Sequence, residues 1–455
     1  MTDREMAHAL AQAVHNHGGC AYYVGGCVRD SLTAEPHGKI DLDIEIHGIA
    51  PSVLEDILDS LGQRMSMGES FGIYGLKGCA LDIALPRKEH LRGVGHKDFD
   101  IIADPYIGTE AAAKRRDFTV NAMMQNILTG EIIDHYGGKS DWQQGILRHV
   151  CDESFPEDPL RILRGAQFAA RFGLTPAPET VALCRKMSLA HLPKERIEGE
   201  LKKALLKSDT PSRFFTFLRE TEQLELWFPE LKALIGVPQH AVYHAEGDVW
   251  NHTMMVLDEA AKLRHRAANP YYFMLAALCH DFGKAAAMEK RDGIVHAYGH
   301  ETAGLPLVRS FLQRLTNETK ALEYAENLTA LHMKPNVAAH NRSSVKSTNK
   351  LFDSCVDPMG LVLLALADDR GRISLSPAPS TEEFLTERLG IYEETMSRPY
   401  VMGKDLIAAG LTPGKDFSEL LAYAHKLRLA GVDKDSALKQ TLAQAKSLKK
   451  KNSQS

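Results

Sequence analysis

The sequence has little that would staple or anchor it. Its seven cysteines (20, 27, 79, 151, 184, 279 and 355) are scattered, odd in number and include no C-x-x-C pair. That argues against a disulfide framework and a zinc knuckle, and for a reducing compartment. Long apolar runs are missing: LVLLALA at 361–367 falls far short of the ~20 residues that span a bilayer. The first residues, MTDREMAHAL, carry acids where a signal peptide has a basic stretch and an apolar core. No targeting segment and no membrane are therefore expected, and the location is read as cytoplasmic. Excess positive charge is missing too. Lys+Arg total 54 against 59 Asp+Glu, a net −5, which excludes a broadly basic polymer binder but leaves room for a local basic groove. No internal repeat is visible.

What is present is an ordinary globular composition, 44% hydrophobic and 25% charged. A chain of 455 residues has room for about three domains of roughly 150 each. Residues 1–150 mix short β-like runs (AYYV, LDIEI, GIYGL, LDIAL, EIIDHY) with glycine-rich turns and helical stretches, an α+β pattern. From about 155 the pattern turns helical, with periodic Leu, Phe and Ala around 160–172, 195–206, 211–221, 252–265, 271–279, 304–315 and 318–332. Breaks in that pattern near 236 (GVPQHAVYHAEGD) and 375 (SLSPAPSTEE) divide the chain into 1–150, 151–235, 236–375 and 376–455. The last stretch, 439–455, has five lysines and no acid and is expected to fray as a solvated tail.

Two groups of residues carry chemistry. In KIDLDIEI (39–46), Asp41, Asp43 and Glu45 share one face of a strand, and Leu42, Ile44 and Ile46 share the other. A rank of carboxylates repels itself, so a cation is its natural partner. Mg²⁺ takes one or two carboxylates plus substrate phosphates. Just upstream, YYVGGCVR (22–29) reads as a strand, then Gly25 and Gly26, then a helix start. Paired glycines let backbone N–H groups approach a phosphate, and Arg29 adds a cation one turn on.

These residues, with RRDFTVNAM (115–123) and EDPLRILR (157–164), occur in an order and spacing that resembles the class II tRNA nucleotidyltransferases. That family comprises the bacterial CCA-adding enzymes and the related poly(A) polymerases, and the likeness covers about the first 235 residues. The resemblance implies a small nucleotidyltransferase head with a mixed or antiparallel sheet and a helical neck and body. It also implies that Asp41 and Asp43 hold catalytic Mg²⁺, with Asp82 of LDIALPR as a candidate third carboxylate. Arg116, Asp117 and Asn121 would help hold the incoming nucleotide together with Gly25, Gly26, Arg29 and Arg164. Asp158 can cap a helix whose first turn holds Pro159, and Arg161 lies three residues on, a neighbour on the same helical surface. A carboxylate only accepts and a guanidinium only donates. Cytosine and adenine both offer an amine donor beside a ring-nitrogen acceptor, so this pair can select CTP and ATP over UTP and GTP. Gln167 stands where family members often carry a further arginine. The glycine-containing stretch 90–108 sits where CCA-adding relatives have the loop that helps switch from C to A addition. Arg196, Lys202 and Lys203 are expected to face tRNA.

The second group follows the histidines, nine of whose twenty fall within 240–340. His252 is followed 28 residues later by His280–Asp281, and Asp368 comes later still, all on apolar helical segments. Imidazole and carboxylate would project inward from facing helices, as metal sites in bundles require. Thiolate ligands typical of structural zinc are absent, which favours hydrolysis. The order H…HD…D resembles the HD phosphohydrolases, with His300 and His332 next in line for a second metal or a phosphate. His240, His244, His265, His296 and His340 read as core or surface residues. Segments around this set resemble the HD domain fused to multifunctional bacterial CCA-adding enzymes. That implies a divalent metal and phosphatase, 2′-nucleotidase and 2′,3′-cyclic phosphodiesterase activity. Two alternatives stay open: a bacterial poly(A) polymerase, and a chain working mainly as an HD phosphohydrolase with a degenerate transferase head.

Overall fold

The alternation read at Leu42–His47 builds the central strand of a seven-stranded mixed sheet. A computed structural model describes residues 1–32, 42–66, 73–91, 99–240, 242–291, 294–375, 380–414 and 416–452. Asp41 and residues 92–98 of the expected switching loop, 90–108, lie outside the described residues. The chain divides into two compact units, Met1–Trp227 and Phe228–Ser455. That division falls close to the expected break at 236, while those at 150 and 375 fall inside units.

In the first unit the strands are β1 (Cys20–Val24), β2 (Leu42–His47), β3 (Arg64–Ser66), β4 (Ile73–Leu76), β5 (Leu81–Ala84), β6 (Arg87–Leu91), β7 (Phe99–Ala103), β8 (Met124–Asn126) and β9 (Ile132–Ile133). The sheet runs β3–β4–β5–β2–β1–β8–β9, and β6 pairs with β7 apart from it. β1 and β2 are antiparallel, whereas β2 and β5 are parallel, in a register that sets Asp43 opposite Asp82. Leu42, Ile44 and Ile46 face inward. There they meet Leu10 and Val14 of helix Asp3–Asn16 and Leu54 and Leu58 of helix Pro51–Leu61. With one face of β2 committed to this core, Asp43 and Glu45 are turned to the other.

The helix Leu160–Phe172 packs on both Lys194–Lys207 and Ser212–Glu220. Gly165 permits the closest approach, since a Cβ there would lie 2.9 Å from the Phe217 ring and 3.0 Å from Phe118. In the second unit, helices Val249–Leu263, Pro270–Cys279, Thr319–Leu331 and Pro358–Arg370 form a bundle. Gly360 to Asp368 are buried without interruption, as a central helix apolar on all sides should be. No described helix is long and apolar enough to cross a membrane.

Two expectations need correction. Short strand pairs, Ile146–Leu147 with Thr175–Pro176 and Glu289–Arg291 with Ile294–His296, interrupt the helical region. Two or three residues are too few to show a period of two. As far as it is described, the lysine-rich end is ordered: Lys434–Asn452 is a helix with Ala437, Thr441 and Ala445 buried, and 453–455 lie outside the described residues. Those three small residues recur at i, i+4 and i+8 and form one seam, which packs on helix Asp416–Leu429.

Two candidate active sites

On the solvent side of β2, Asp43 and the exposed Asp82 line one cleft of about 560 Å³, together with Glu45, Arg87, Arg115 and Arg116. Parallel neighbours lie only about 4.8 Å apart, so two carboxylates in register crowd negative charge. Hard carboxylate oxygens at that spacing, beside arginines that suit phosphate, fit a Mg²⁺-bound triphosphate. Gly25 closes the near wall with φ +70°, and a Cβ on it would lie 3.5 Å from Asp43 Oδ2 and 3.6 Å from Arg116 Nη1. Backbone therefore passes beside both, which a side-chain-bearing residue at that φ resists. The next residue, Gly26, opens the helix that carries Arg29.

Glu45 is held by two neighbours. Its Oε2 takes Arg116 Nη2 at 3.0 Å and its Oε1 lies 2.9 Å from His47 Nε2. Burial alone would raise the Glu45 carboxyl, but Arg116 and His47 outweigh it and hold the group below its ordinary value. Glu45 thus aims Arg116 into the cleft. Arg29 also departs from expectation. It is 4% exposed, with Nε and Nη2 on Asp30, Nη1 on Asn121 Oδ1 at 2.7 Å, and its guanidinium 4.1 Å from the Phe172 ring centre. It backs Asn121. Asn121 Nδ2 in turn reaches Asp117 Oδ1 at 3.2 Å, and Asp117 Oδ2 takes Arg164 Nε at 2.6 Å. Burial pushes the Asp117 carboxyl up, and Arg164 more than reverses it.

Asp158 and Arg161 do not form an ion pair with each other among the contacts of the structure. Asp158 Oδ1 accepts from the Leu160 amide at 3.0 Å and its Oδ2 lies 3.3 Å from Arg196. Arg161 donates to the Ser154 and Arg115 carbonyls, each at 2.7 Å. The i, i+3 spacing gave proximity, but two buried carbonyls and a more distant arginine compete better. Arg196 and Lys203, expected at tRNA, are held by Asp158 and Glu200. Gln167 is 2% exposed and its Nε2 has no hydrogen-bond partner.

In the second unit, His252 and Asp368 from two helices come together with His280 and Asp281 from the turn after Cys279. Asp281 is the hub, with His280 Nε2 3.2 Å and His252 Nε2 3.5 Å from Oδ2, and His300 Nε2 3.2 Å and His332 Nε2 3.7 Å from Oδ1. His252 Nε2 also lies 3.1 Å from Asp368 Oδ1. The Nδ1 atoms of His280, His300 and His332 each face a backbone carbonyl three residues back at 2.7–2.8 Å. A carbonyl only accepts, so Nδ1 carries the proton and the Nε2 lone pairs converge. His300 and His332 Nε2 are 3.1 Å apart, and burial pushes the His332 imidazole down to about 3. Converging ring nitrogens beside two buried carboxylates are a donor set that fits a divalent cation. Burial raises both carboxyls, yet His280 and Lys284 at Asp281, and Arg372 and His252 at Asp368, hold them well below their usual range.

Sequence reasoning passed over four residues here. Lys284 Nζ lies 2.6 Å from Asp281 Oδ2 and Arg372 Nη2 2.8 Å from Asp368 Oδ2; spacings of three and four on a helical path were the available signal. Glu246 Oε1 lies 3.2 Å from His252 Nδ1 and 2.7 Å from His244 Nδ1, so His244 belongs to the site's surroundings. His265 and His340 are exposed, as expected.

A strand-borne carboxylate pair above a nucleotide-sized cleft, joined to a helical body, defines a nucleotidyltransferase. Residues 21–148 match the family model of the poly A polymerase head domain, and 173–235 match the probable RNA and SrmB-binding site of polymerase A. The multifunctional CCA protein of Actinobacillus pleuropneumoniae serotype 5b (strain L20) is 38% identical over 363 residues, 77% of this chain and 85% of the relative. That of Xylella fastidiosa (strain M23) is 38% identical over 343 residues, 74% and 77% of the two chains. The chain belongs to the multifunctional CCA protein family, which are class II CCA-adding enzymes. Its fold is similar to that of the Thermotoga maritima CCA-adding enzyme complexed with tRNA (TM-score 0.65, 19% identity, 97% and 95% of the chains). It is also similar to the Bacillus stearothermophilus CCA-adding enzyme in complex with CTP (TM-score 0.62, 22% identity, 99% and 100%).

Proposed function

We propose that the chain adds or repairs the 3′-terminal CCA of tRNA from CTP and ATP without a template, and that its His/Asp centre hydrolyses phosphate esters. The observation that carries the first part is the parallel register of Asp43 and Asp82 at a cleft that Arg116 also lines. Asp41, Asp43 and, as a third ligand, Asp82 would hold Mg²⁺, which supplies charge for the triphosphate and acidity for the primer's 3′-hydroxyl. The hydroxyl oxygen bonds the α-phosphorus and pyrophosphate leaves. Arg116, fixed by Glu45, offers its remaining donors to the triphosphate, while the Arg29–Asn121–Asp117–Arg164 chain keeps the ribose side rigid. Asp158 supplies acceptors and Arg161, oriented by two carbonyls, retains donors for the pairing edge of cytosine or adenine.

At the second centre, His252, His280, Asp281 and Asp368 would hold a divalent metal, with His300 and His332 beside it. A bound metal would supply a hydroxide and polarise a phosphoryl oxygen. Lys284 and Arg372 would steady the phosphate charge. Phosphatase, 2′-nucleotidase and 2′,3′-cyclic phosphodiesterase activity fit that set, and a cytoplasmic place of work fits a tRNA-processing enzyme. The lysines and arginines of the helical body, such as Lys202, would contact tRNA phosphates and make binding salt-sensitive.

Incubation with tRNA lacking its CCA, Mg²⁺ and each nucleotide singly or in pairs tests the first part. Ordered C, C, A addition that stops is expected. Long A tails would instead support a poly(A) polymerase, and no incorporation would overturn the transferase reading.

A further inference from the structure

We propose that the mouth of the His/Asp cavity is a nucleobase platform, so that this centre takes phosphorylated nucleosides and holds them by stacking, whichever base they carry. This deepens the phosphohydrolase reading above and rests on it. The cavity encloses about 420 Å³, room for a nucleotide, and it has two chemically distinct ends. At its floor lie Asp281, His300, His332, Lys284 and Arg372, a set suited to a phosphate. At its mouth stand two tyrosines that the phosphate chemistry does not use. Tyr298 is 74% exposed and Tyr243 is 50% exposed.

Neither ring is a loose surface side chain. Tyr298 lies flat on His296, ring centres 5.0 Å apart and planes 11° from parallel. Tyr243 rests on His240 at 4.8 Å and 37°. Each pair is tied by sequence to the floor: Tyr298 is two residues from His300, and Tyr243 precedes His244, which hydrogen-bonds Glu246. The histidine backing fixes each tyrosine's plane and leaves its other face to water. Two exposed aromatic faces, above a floor that holds Lys284 and Arg372 beside Asp281 and Asp368, form a stacking surface within reach of a phosphate site. Such stacking tolerates any base because every base has a π-face. A sugar phosphate or an inorganic phosphate would leave both rings unused.

The test uses the full chain and follows hydrolysis of adenosine and cytidine 2′-monophosphates and of glycerol 2-phosphate, which has no base. With Tyr298→Ala the KM for both nucleotides should rise about tenfold, with Tyr298→Phe it should change less than about twofold, and glycerol 2-phosphate should respond to neither. Equal losses on all three substrates, or unchanged nucleotide KM in both Tyr298→Ala and Tyr243→Ala, would overturn the platform. If the wild-type chain hydrolyses none of them with Mg²⁺, Mn²⁺, Co²⁺ or Ni²⁺, the phosphohydrolase reading fails separately. Calorimetric binding of adenosine 2′-monophosphate then decides the platform: weaker binding to Tyr298→Ala supports it, and equal binding overturns it.

Discussion

Replacing Arg164 by methionine probes the polar chain that braces the nucleotide cleft. Asp117 is 7% exposed and Arg164 Nε lies 2.6 Å from its Oδ2. Removing one partner of a buried pair costs about 3–5 kcal/mol, because the other charge stays buried. The Arg164 side chain is 35% exposed, so water screens part of the pair and about 2–3 kcal/mol is the better expectation. For a unit of this size that corresponds to roughly 4–12 °C in Tm. The pH dependence has a definite sign. In the wild-type chain the Asp117 carboxyl is depressed, so its stabilisation is present above the ordinary value of about 3.9 and is lost as pH falls through the folded value. Without Arg164 the largest influence opposing burial is gone, and the carboxyl rises. The penalty of the substitution is then largest near neutral pH and shrinks at acid pH, as Asp117 takes up a proton. Thermal unfolding of wild type, Arg164→Met and Asp117→Asn/Arg164→Met at neutral and acid pH measures this. The double variant should recover most of the neutral-pH loss. A loss below about 0.5 kcal/mol, or one equal at both pH values, would refute the reasoning.

Gly25→Ala meets ordinary space but a backbone at φ 70° and ψ −132°, and should cost about 1–3 kcal/mol in unfolding experiments while raising the KM for CTP. An unstrained variant of wild-type stability would contradict that. Glu246→Gln loosens the orientation of His252 and should weaken divalent-metal binding about 10–100-fold, read by titrating metal-depleted protein; unchanged affinity would remove Glu246 from the site. Gln167→Met replaces a buried amide whose Nε2 lacks a partner and should stabilise the chain by about 1–2 kcal/mol in urea unfolding. Destabilisation there would mean that the amide is satisfied by bound water.

What could be read in advance follows the range of the interaction. Period-two alternation at Leu42–Ile46 dictates which way Asp43 points, and helical periodicity located the longer helices between Leu160 and Leu331 within a few residues but not short ones such as Pro178–Cys184. His252 and Asp368 sit on apolar helices, and His280–Asp281 follow directly on a third, so their inward placement was legible from the apolar segments around them. Contacts chosen by distant chain were not legible. Glu45 meets an arginine 71 residues on, Arg29 is taken by Asn121 across 92, and Asp158 prefers Arg196 to its helical neighbour Arg161. Local spacing says which side chains can meet, while the packed fold decides which do. The lysine-rich end misled because charge on one face hid the small-residue seam of Ala437, Thr441 and Ala445 on the other.

The central claim is that one chain carries two independent phosphoryl centres. Full-length Asp43→Asn and His280→Ala variants, assayed side by side for nucleotide addition to tRNA lacking CCA and for hydrolysis of adenosine 2′-monophosphate, test it most directly. Asp43→Asn should abolish addition and retain hydrolysis, and His280→Ala should do the reverse. Loss of nucleotide addition in a folded His280→Ala protein would contradict the account.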